Sequence, residues 1–341
     1  MQTRPQGGPV NTTRTIDVHA HILAEDTIEL WRKEAPKTAP RLTEIDADFG
    51  VLEVAGVPYR PFPRGGWDLE RRLKDMDAAE VDVQVLSNTP QTFLYNLDAS
   101  QTADASALQN DQIAKLVKER PDRFMGMATL PMQNPERAVA ELRRAVRDLG
   151  LVGAQIGTHI EGKNLDDPGL AAFWAAVAEL DAFIMIHPTK PAGGDRNKAY
   201  YLTNLIGNPL ETTIAAASLA FGGVMERHPD LKILLVHGGG YVPYQYGRWT
   251  HGWEVRGEPK QFLKIDPEAS VRRFYYDTIT HGKPALEYLV SLMGASRVVL
   301  GSDYPYDMGN WELVREARAL PIPEADRACI LGGNAEALFR K

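Results

Sequence analysis

Thr15-Ile16-Asp17-Val18-His19-Ala20-His21 is a short apolar run that stops at two histidines flanking one alanine. The same pattern recurs in Phe183-Ile184-Met185-Ile186-His187-Pro188 and in Ile233-Leu234-Leu235-Val236-His237, which is followed by Gly238-Gly239-Gly240. It recurs again in Val298-Val299-Leu300-Gly301-Ser302-Asp303. Strands buried on both faces of a parallel sheet read as such runs of Val, Ile and Leu. If these runs belong to one barrel, their C-terminal ends share a mouth where the imidazoles and the carboxylate converge. One histidine after a strand is ordinarily a polar cap. Five such groups, with the first pair spaced H-x-H, point to a metal.

Further strands are expected at Val81–Ser87, Phe124–Leu130, Gly153–Gly157 and Phe274–Thr278. With Thr15–Val18, Phe183–His187, Lys232–His237 and Arg297–Gly301 they make eight, the number that closes a parallel barrel. Helices intervene. Asn134-Pro135, Asp167-Pro168 and Asn208-Pro209 each place a capping side chain before a proline at the first helical position. Glu211 then sits where a capping-box acid belongs. Between Pro135 and Gly150, Ala138, Val139, Leu142, Ala145, Val146 and Leu149 form one apolar stripe at helical spacing. Asn334 opens the last helix. The predicted fold is an α/β (β/α)8 TIM barrel with an insertion after the first strand.

The segment 1–13 is polar, holds Pro5, Gly7, Gly8 and Pro9, and lacks an apolar core, so it reads as a loose tail rather than a signal peptide. Residues 14–341 then form the barrel. Within it, 24–67 makes the first connection far longer than usual, with a small hairpin around Ala55-Gly56 expected to lie over the mouth. A second long connection, Pro188 to Asn208, contains Gly193-Gly194 and reads as another flap. Of the 341 residues, 44% are hydrophobic and 24% charged, as in a globular enzyme, and the net charge of -7 is dispersed. No basic run suggests nucleic acid or a membrane surface, and no apolar stretch reaches the roughly 20 residues that span a bilayer. Cys329 is the single cysteine, which excludes an intrachain disulfide and fits a reducing cytoplasm.

His19 and His21 lie on one face of their strand, and with His187 and Asp303 they offer three imidazoles and a carboxylate. That set suits one divalent ion, Zn²⁺ or else Mn²⁺, and leaves room for water. His237 can be a further ligand but is better used as an acid–base group. The fourth strand, Gly153-Ala154-Gln155-Ile156-Gly157, lacks a lysine to bridge two metals.

Several motifs carry a resemblance over Ile16 to Phe339. They are D-x-H-x-H at Asp17–His21, D-x-Q-V at Asp82–Val85, T-P-x-x-F-x-Y at Thr89–Tyr95 and Q-I-G at Gln155–Gly157. H-P at His187–Pro188, H-G-G-G at His237–Gly240 and L-G-S-D-Y-P at Leu300–Pro305 complete the set. The chain resembles the amidohydrolase superfamily, in its decarboxylase branch around 2-amino-3-carboxymuconate-6-semialdehyde decarboxylase. Related aromatic-acid decarboxylases look like E-x-H where this chain has H-x-H. The resemblance implies Zn²⁺ held by His19, His21, His187 and Asp303, with His237 as the catalytic histidine beside Asp303. It also implies two substrate-binding arginines, Arg60 in Y-R-P and Arg248 in Y-G-R-W, the second reaching in from the partner subunit of a homodimer. Arginine grips planar carboxylates bidentately, which suits a dicarboxylate. Arg64, Arg196 and Arg256 are alternates.

The chain departs from that family at Thr189-Lys190 and Tyr200-Tyr201, where relatives look tryptophan-rich, and at His281, where they place an apolar or aromatic residue. His159, His228 and His251 read as structural. The expected activity is metal-dependent, organic-cofactor-free removal of CO2 from a small unsaturated or aromatic carboxylic acid of aromatic-compound catabolism. 2-Amino-3-carboxymuconate-6-semialdehyde or a close analogue is the expected substrate. A mononuclear hydrolase or hydratase of a related lactone, amide or enoic acid is the alternative.

Overall fold

The computed structural model describes residues 14–340; the expected tail, 1–13, lies outside them. Eight parallel strands form one sheet in sequence order: β1 (Ile16–Ile22), β2 (Val83–Asn88), β3 (Phe124–Ala128), β4 (Gly153–Gly157), β5 (Phe183–His187), β6 (Lys232–Leu235), β7 (Tyr275–Asp277) and β8 (Val298–Val299). The last strand returns to the first. Val18 N donates to Leu300 O at 2.9 Å, and Ala20 bridges to Tyr304 in parallel. The sheet is thus a TIM barrel with helices outside it.

Both faces of the strands are apolar because both are covered. On β5, Phe183 and Met185 join the inner cluster with Val85, Met127 and Leu234, whereas Ile184 and Ile186 join the outer cluster beneath the helices. His187 continues the inner phase of β5 and so arrives at the mouth. Ala335 and Leu338 of the final helix complete the inner cluster. On β1 the register shifts between Asp17 and Ala20, a bulge that lets Ile16 and Val18 pack inward before His19 and His21 do.

The helix Pro135–Arg147 begins as its sequence predicts, with the Asn134 side chain accepting from Arg137 N at 3.0 Å. Asn208-Pro209 does not cap. A π turn, Thr203–Gly207, runs straight into the helix Asn208–Phe221, so Asn208 is already helical. Glu211 is buried and accepts from Ala192 N at 2.7 Å instead, which ties down the long connection after β5.

Within the first connection, Phe49–Val54 and Val57–Pro63 pair antiparallel across a turn at Ala55 and Gly56, both with positive φ. Arg41–Glu44 adds a third strand, too polar to be legible as one. Leu52, Val54, Phe62 and Trp67 of this insertion pack with Trp31, Leu94 and Tyr306.

Candidate metal centre

The expected ligands sit in or just after barrel strands. His19 and His21 are the fourth and sixth residues of β1, His187 closes β5, and His237 and Asp303 follow β6 and β8. The last two hold left-handed backbone, φ 56° and 57°, where side chains other than glycine are strained. Gly238, Gly239 and Gly240 after His237 also have positive φ, and a Cβ on Gly240 would come within 2.2 Å of Pro209 O. The glycine run therefore meets a steric requirement as well as a turn.

Three imidazoles face one oxygen. Asp303 Oδ1 lies 3.2 Å from His21 Nε2, 3.4 Å from His19 Nε2 and 4.0 Å from His187 Nε2. Asp303 Oδ2 lies 3.4 Å from His237 Nε2. His19 Nε2 and His21 Nε2 are 3.0 Å apart. Ligand atoms of His19, His187, His237 and Asp303 all lie within 4.8 Å of one another. The structure thus brings together all five groups singled out from sequence, and His237 stands as near the centre as the expected ligands do.

Donor chemistry fits a cation. His187 Nε2 and Asp303 Oδ1 are buried without a hydrogen-bond partner, an arrangement that costs free energy unless something fills it. Burial, with the neighbouring imidazoles, holds His187 well below the usual histidine range. Burial likewise pushes His21 down to about 4. Both rings therefore keep a lone pair free at neutral pH. Burial alone would raise Asp303, but the His19 ring and the neighbouring His21 and His237 rings outweigh it and hold the carboxylate well below its ordinary value. His19, His187, His237 and Asp303 form a metal site, with His21 beside it.

Surrounding groups orient the ligands. His19 Nδ1 meets Asp277 Oδ2 at 2.8 Å, and His21 Nδ1 meets Ser87 Oγ at 3.0 Å. Asp17, the acid of D-x-H-x-H, is fully buried and accepts from His19 N, Ser302 N, Ser302 Oγ and Gln84 Nε2. Buried Arg72 donates to Gln84 Oε1 and to the His21 carbonyl. Asp277 and Arg72 were not singled out from sequence. Asp277 gave a usable signal, an acid at a strand end in Phe274-Tyr275-Tyr276-Asp277, but Arg72 lies in a helix and gave none.

Two cavities open over the centre and share His237 and Asp303. The larger, about 400 Å³, is walled mainly by Leu205, Tyr244, Ile279, Tyr288, Leu289 and Met308, and His281 also lines it. The smaller, about 240 Å³, is lined by Tyr59, Gln91, His187, Lys190, Tyr201 and Tyr306 among others. Tyr59 comes from the insertion, and its ring lies 5.3 Å from that of Tyr306. Lys190 is paired with Glu161 at 2.6 Å.

Arg60 and Arg248 are exposed and line neither cavity. Arg248 lies one helical turn beyond Tyr244, which does. Among the alternates, Arg64 is bound to Asp68 and Arg256 to Glu258, and Arg196 is exposed. Of the other histidines, His159 accepts from Gly162 N, His228 caps the short helix Val224–Arg227, and His251 is exposed.

The amidohydrolase family model matches residues 16–341. The chain belongs to the amidohydrolase family. This amidohydrolase is 37% identical over 324 residues to 2-amino-3-carboxymuconate-6-semialdehyde decarboxylase of Dictyostelium discoideum, spanning 94% of this chain and 90% of that one. The solved structure of 5-carboxyvanillate decarboxylase from Sphingomonas paucimobilis matches with a TM-score of 0.82 at 27% identity, over 96% of this chain and 99% of that one. A Polaromonas dihydroxybenzoic acid decarboxylase, solved with manganese and the inhibitor 2-nitroresorcinol, gives 0.78 at 26% identity, over 96% and 97% of the two chains. These relatives are carboxy-lyases. Among the described residues, no helix is long and apolar enough to cross a membrane.

Proposed function

We propose that this amidohydrolase is a metal-dependent carboxy-lyase that removes CO2 from a small unsaturated or aromatic carboxylic acid. 2-Amino-3-carboxymuconate-6-semialdehyde or a close analogue is the substrate we assign to it. The observation that carries this reading is the division of Asp303, with Oδ1 toward His19, His21 and His187 and Oδ2 toward His237. The larger cavity beside that carboxylate is walled mainly by apolar and aromatic side chains. It suits an unsaturated carbon skeleton.

His19, His21, His187 and Asp303 are assigned as the ligands, and His237 as the acid–base group. Three imidazoles and a carboxylate favour Zn²⁺, and the manganese in the Polaromonas structure makes Mn²⁺ the other candidate. A divalent ion held there supplies a positive charge that orients the acid and eases negative charge on the reacting framework. His237 does the proton work. With Nε2 placed 3.4 Å from Asp303 Oδ2, its protonated ring hands the Nε2 proton to the carbon that carries the carboxylate. The carbon–carbon bond then breaks, its electron pair stays with that carbon framework, CO2 leaves, and the neutral ring regains a proton from solvent. The apolar walls keep water from the reacting carbon.

Neither cavity has a guanidinium among its lining residues. We assign Arg248 to the site of a partner subunit in a homodimer, and Arg60, one residue from Tyr59, to the rim, where a second carboxylate would be held.

Headspace CO2 measured over a panel of muconic and aromatic acids tests the assignment. Release of one CO2 per acid consumed supports it. Consumption of a lactone, amide or enoic acid by addition of water, with none of the acids decarboxylated, would replace it with a hydrolase or hydratase.

A further inference from the structure

Asp277 ends β7, is fully buried, and uses both carboxylate oxygens. Oδ2 accepts from His19 Nδ1 at 2.8 Å and from the backbone N–H of His237 at 2.9 Å. Oδ1 accepts from the N–H of Gly238 at 2.7 Å and of Ile279 at 3.2 Å. A single oxygen thus touches the ring of one expected ligand and the backbone of the expected acid–base residue.

We infer that Asp277 is a shared positioning residue, setting the tautomer of His19 and the left-handed backbone that aims His237 at Asp303. The first half follows from imidazole chemistry. A carboxylate has no proton to give, so His19 Nδ1 must carry the hydrogen, and Nε2 is left with a lone pair toward Asp303. The second half follows from the backbone. His237 and Gly238 both have positive φ, and their consecutive N–H groups turn toward the same carboxylate. That pair of hydrogen bonds offsets the cost of holding a side chain other than glycine in this conformation. The inference rests on the metal centre and on the acid–base role of His237, but not on which acid is the substrate.

Asp277→Asn is the informative variant, because no orientation of the amide satisfies all four donors. With the NH2 toward His19, the ring must accept at Nδ1 and carry its hydrogen on Nε2, where it opposes a metal. With the NH2 toward Gly238, the loop bearing His237 loses an acceptor, and a neutral oxygen polarises His19 less than a carboxylate does. Either way the D277N protein should bind Zn²⁺ about 10- to 100-fold more weakly than the parent in competition with a chelator. At saturating metal, kcat should stay at least about 10-fold down while KM changes little, because His237 remains misaimed. Metal affinity equal to the parent's, or kcat restored by added metal, would overturn the inference.

A measurement on the parent protein guards against a variant that fails to fold. In zinc-loaded protein labelled with nitrogen-15 at its 8 histidines, His19 should show a hydrogen on Nδ1 and the metal-bound pattern on Nε2. The reverse pattern at His19 overturns the inference even if the D277N protein cannot be made. A parent that binds no divalent metal would instead remove the centre itself, an outcome distinct from both.

Discussion

Asp303 Oδ2 lies 3.4 Å from His237 Nε2, and the two residues share left-handed backbone at φ 57° and 56°. Strained residues facing each other across a barrel mouth are held there by the structure around them. The Asp277 carboxylate and the glycine run supply that support on the His237 side, and Ser302 bound to Asp17 supplies it beside Asp303. His237 faces the carboxylate oxygen opposite the one that the other three imidazoles approach, and the division of labour follows from that.

Replacing His237 by alanine should therefore leave metal binding intact and lower turnover by about 10²-fold or more, the scale of a positioned acid–base group. Metal content by elemental analysis and kcat on the same preparation check this. Loss of metal in proportion to loss of activity would make His237 a ligand, which its closeness to His19, His187 and Asp303 also allows geometrically.

His187 Nε2 has no hydrogen-bond partner and lies 4.0 Å from Asp303 Oδ1. The parent protein should carry close to one divalent ion per chain, and His187→Ala should lose most of it. A second ion per chain would contradict a centre whose fourth strand offers Gln155 rather than a bridging lysine.

Much of this was legible in the sequence, for a physical reason. Strands buried on both faces must be written in Val, Ile and Leu, so Phe183–His187 and Gly153–Gly157 appear with the bounds their sequences suggest. The groups at the C-terminal ends of such strands share a mouth by geometry, so the sequence alone brings His19, His21, His187, His237 and Asp303 together. The polar strand Arg41–Glu44 was hidden because one face of the insertion meets solvent. Asn208-Pro209 misled because a π turn upstream, which no local residue pattern announces, absorbs the helix start. Positive φ at His237 and Asp303 is imposed by tertiary hydrogen bonds and clashes, and neither side chain reveals it. Trp249, whose ring lies tilted 5.6 Å from that of Phe221, and Trp253, which donates to Leu263 O, make their contacts within the chain.

Gly240→Ala should be costly out of proportion to one methyl group. The residue has φ 61°, and the added carbon would lie 2.2 Å from Pro209 O and 2.9 Å from Thr213 Oγ1. A loss of about 1–3 kcal/mol is expected from the strained backbone alone. Denaturant unfolding of the metal-free protein measures it. Turnover should fall as well, because the loop that yields is the one carrying His237. Unchanged stability would mean that the loop relaxes freely.

Arg248 can be tested for action across subunits by mixing inactive variants. Combining Arg248→Ala with His237→Ala chains gives hybrid dimers in which one site carries both lesions and the other carries neither. Activity should reappear on mixing if Arg248 enters the partner's site. No recovery, with subunit exchange demonstrated, would place Arg248 outside the chemistry or in its own chain's site.

The most direct measurement is CO2 evolution from 2-amino-3-carboxymuconate-6-semialdehyde by metal-loaded, chelated and reconstituted protein. Stoichiometric CO2 from the loaded protein, its loss on exhaustive chelation and its return with added Zn²⁺ or Mn²⁺ are the predicted results. CO2 release that survives chelation, or consumption of the acid without CO2, would contradict a decarboxylase built on His19, His21, His187 and Asp303.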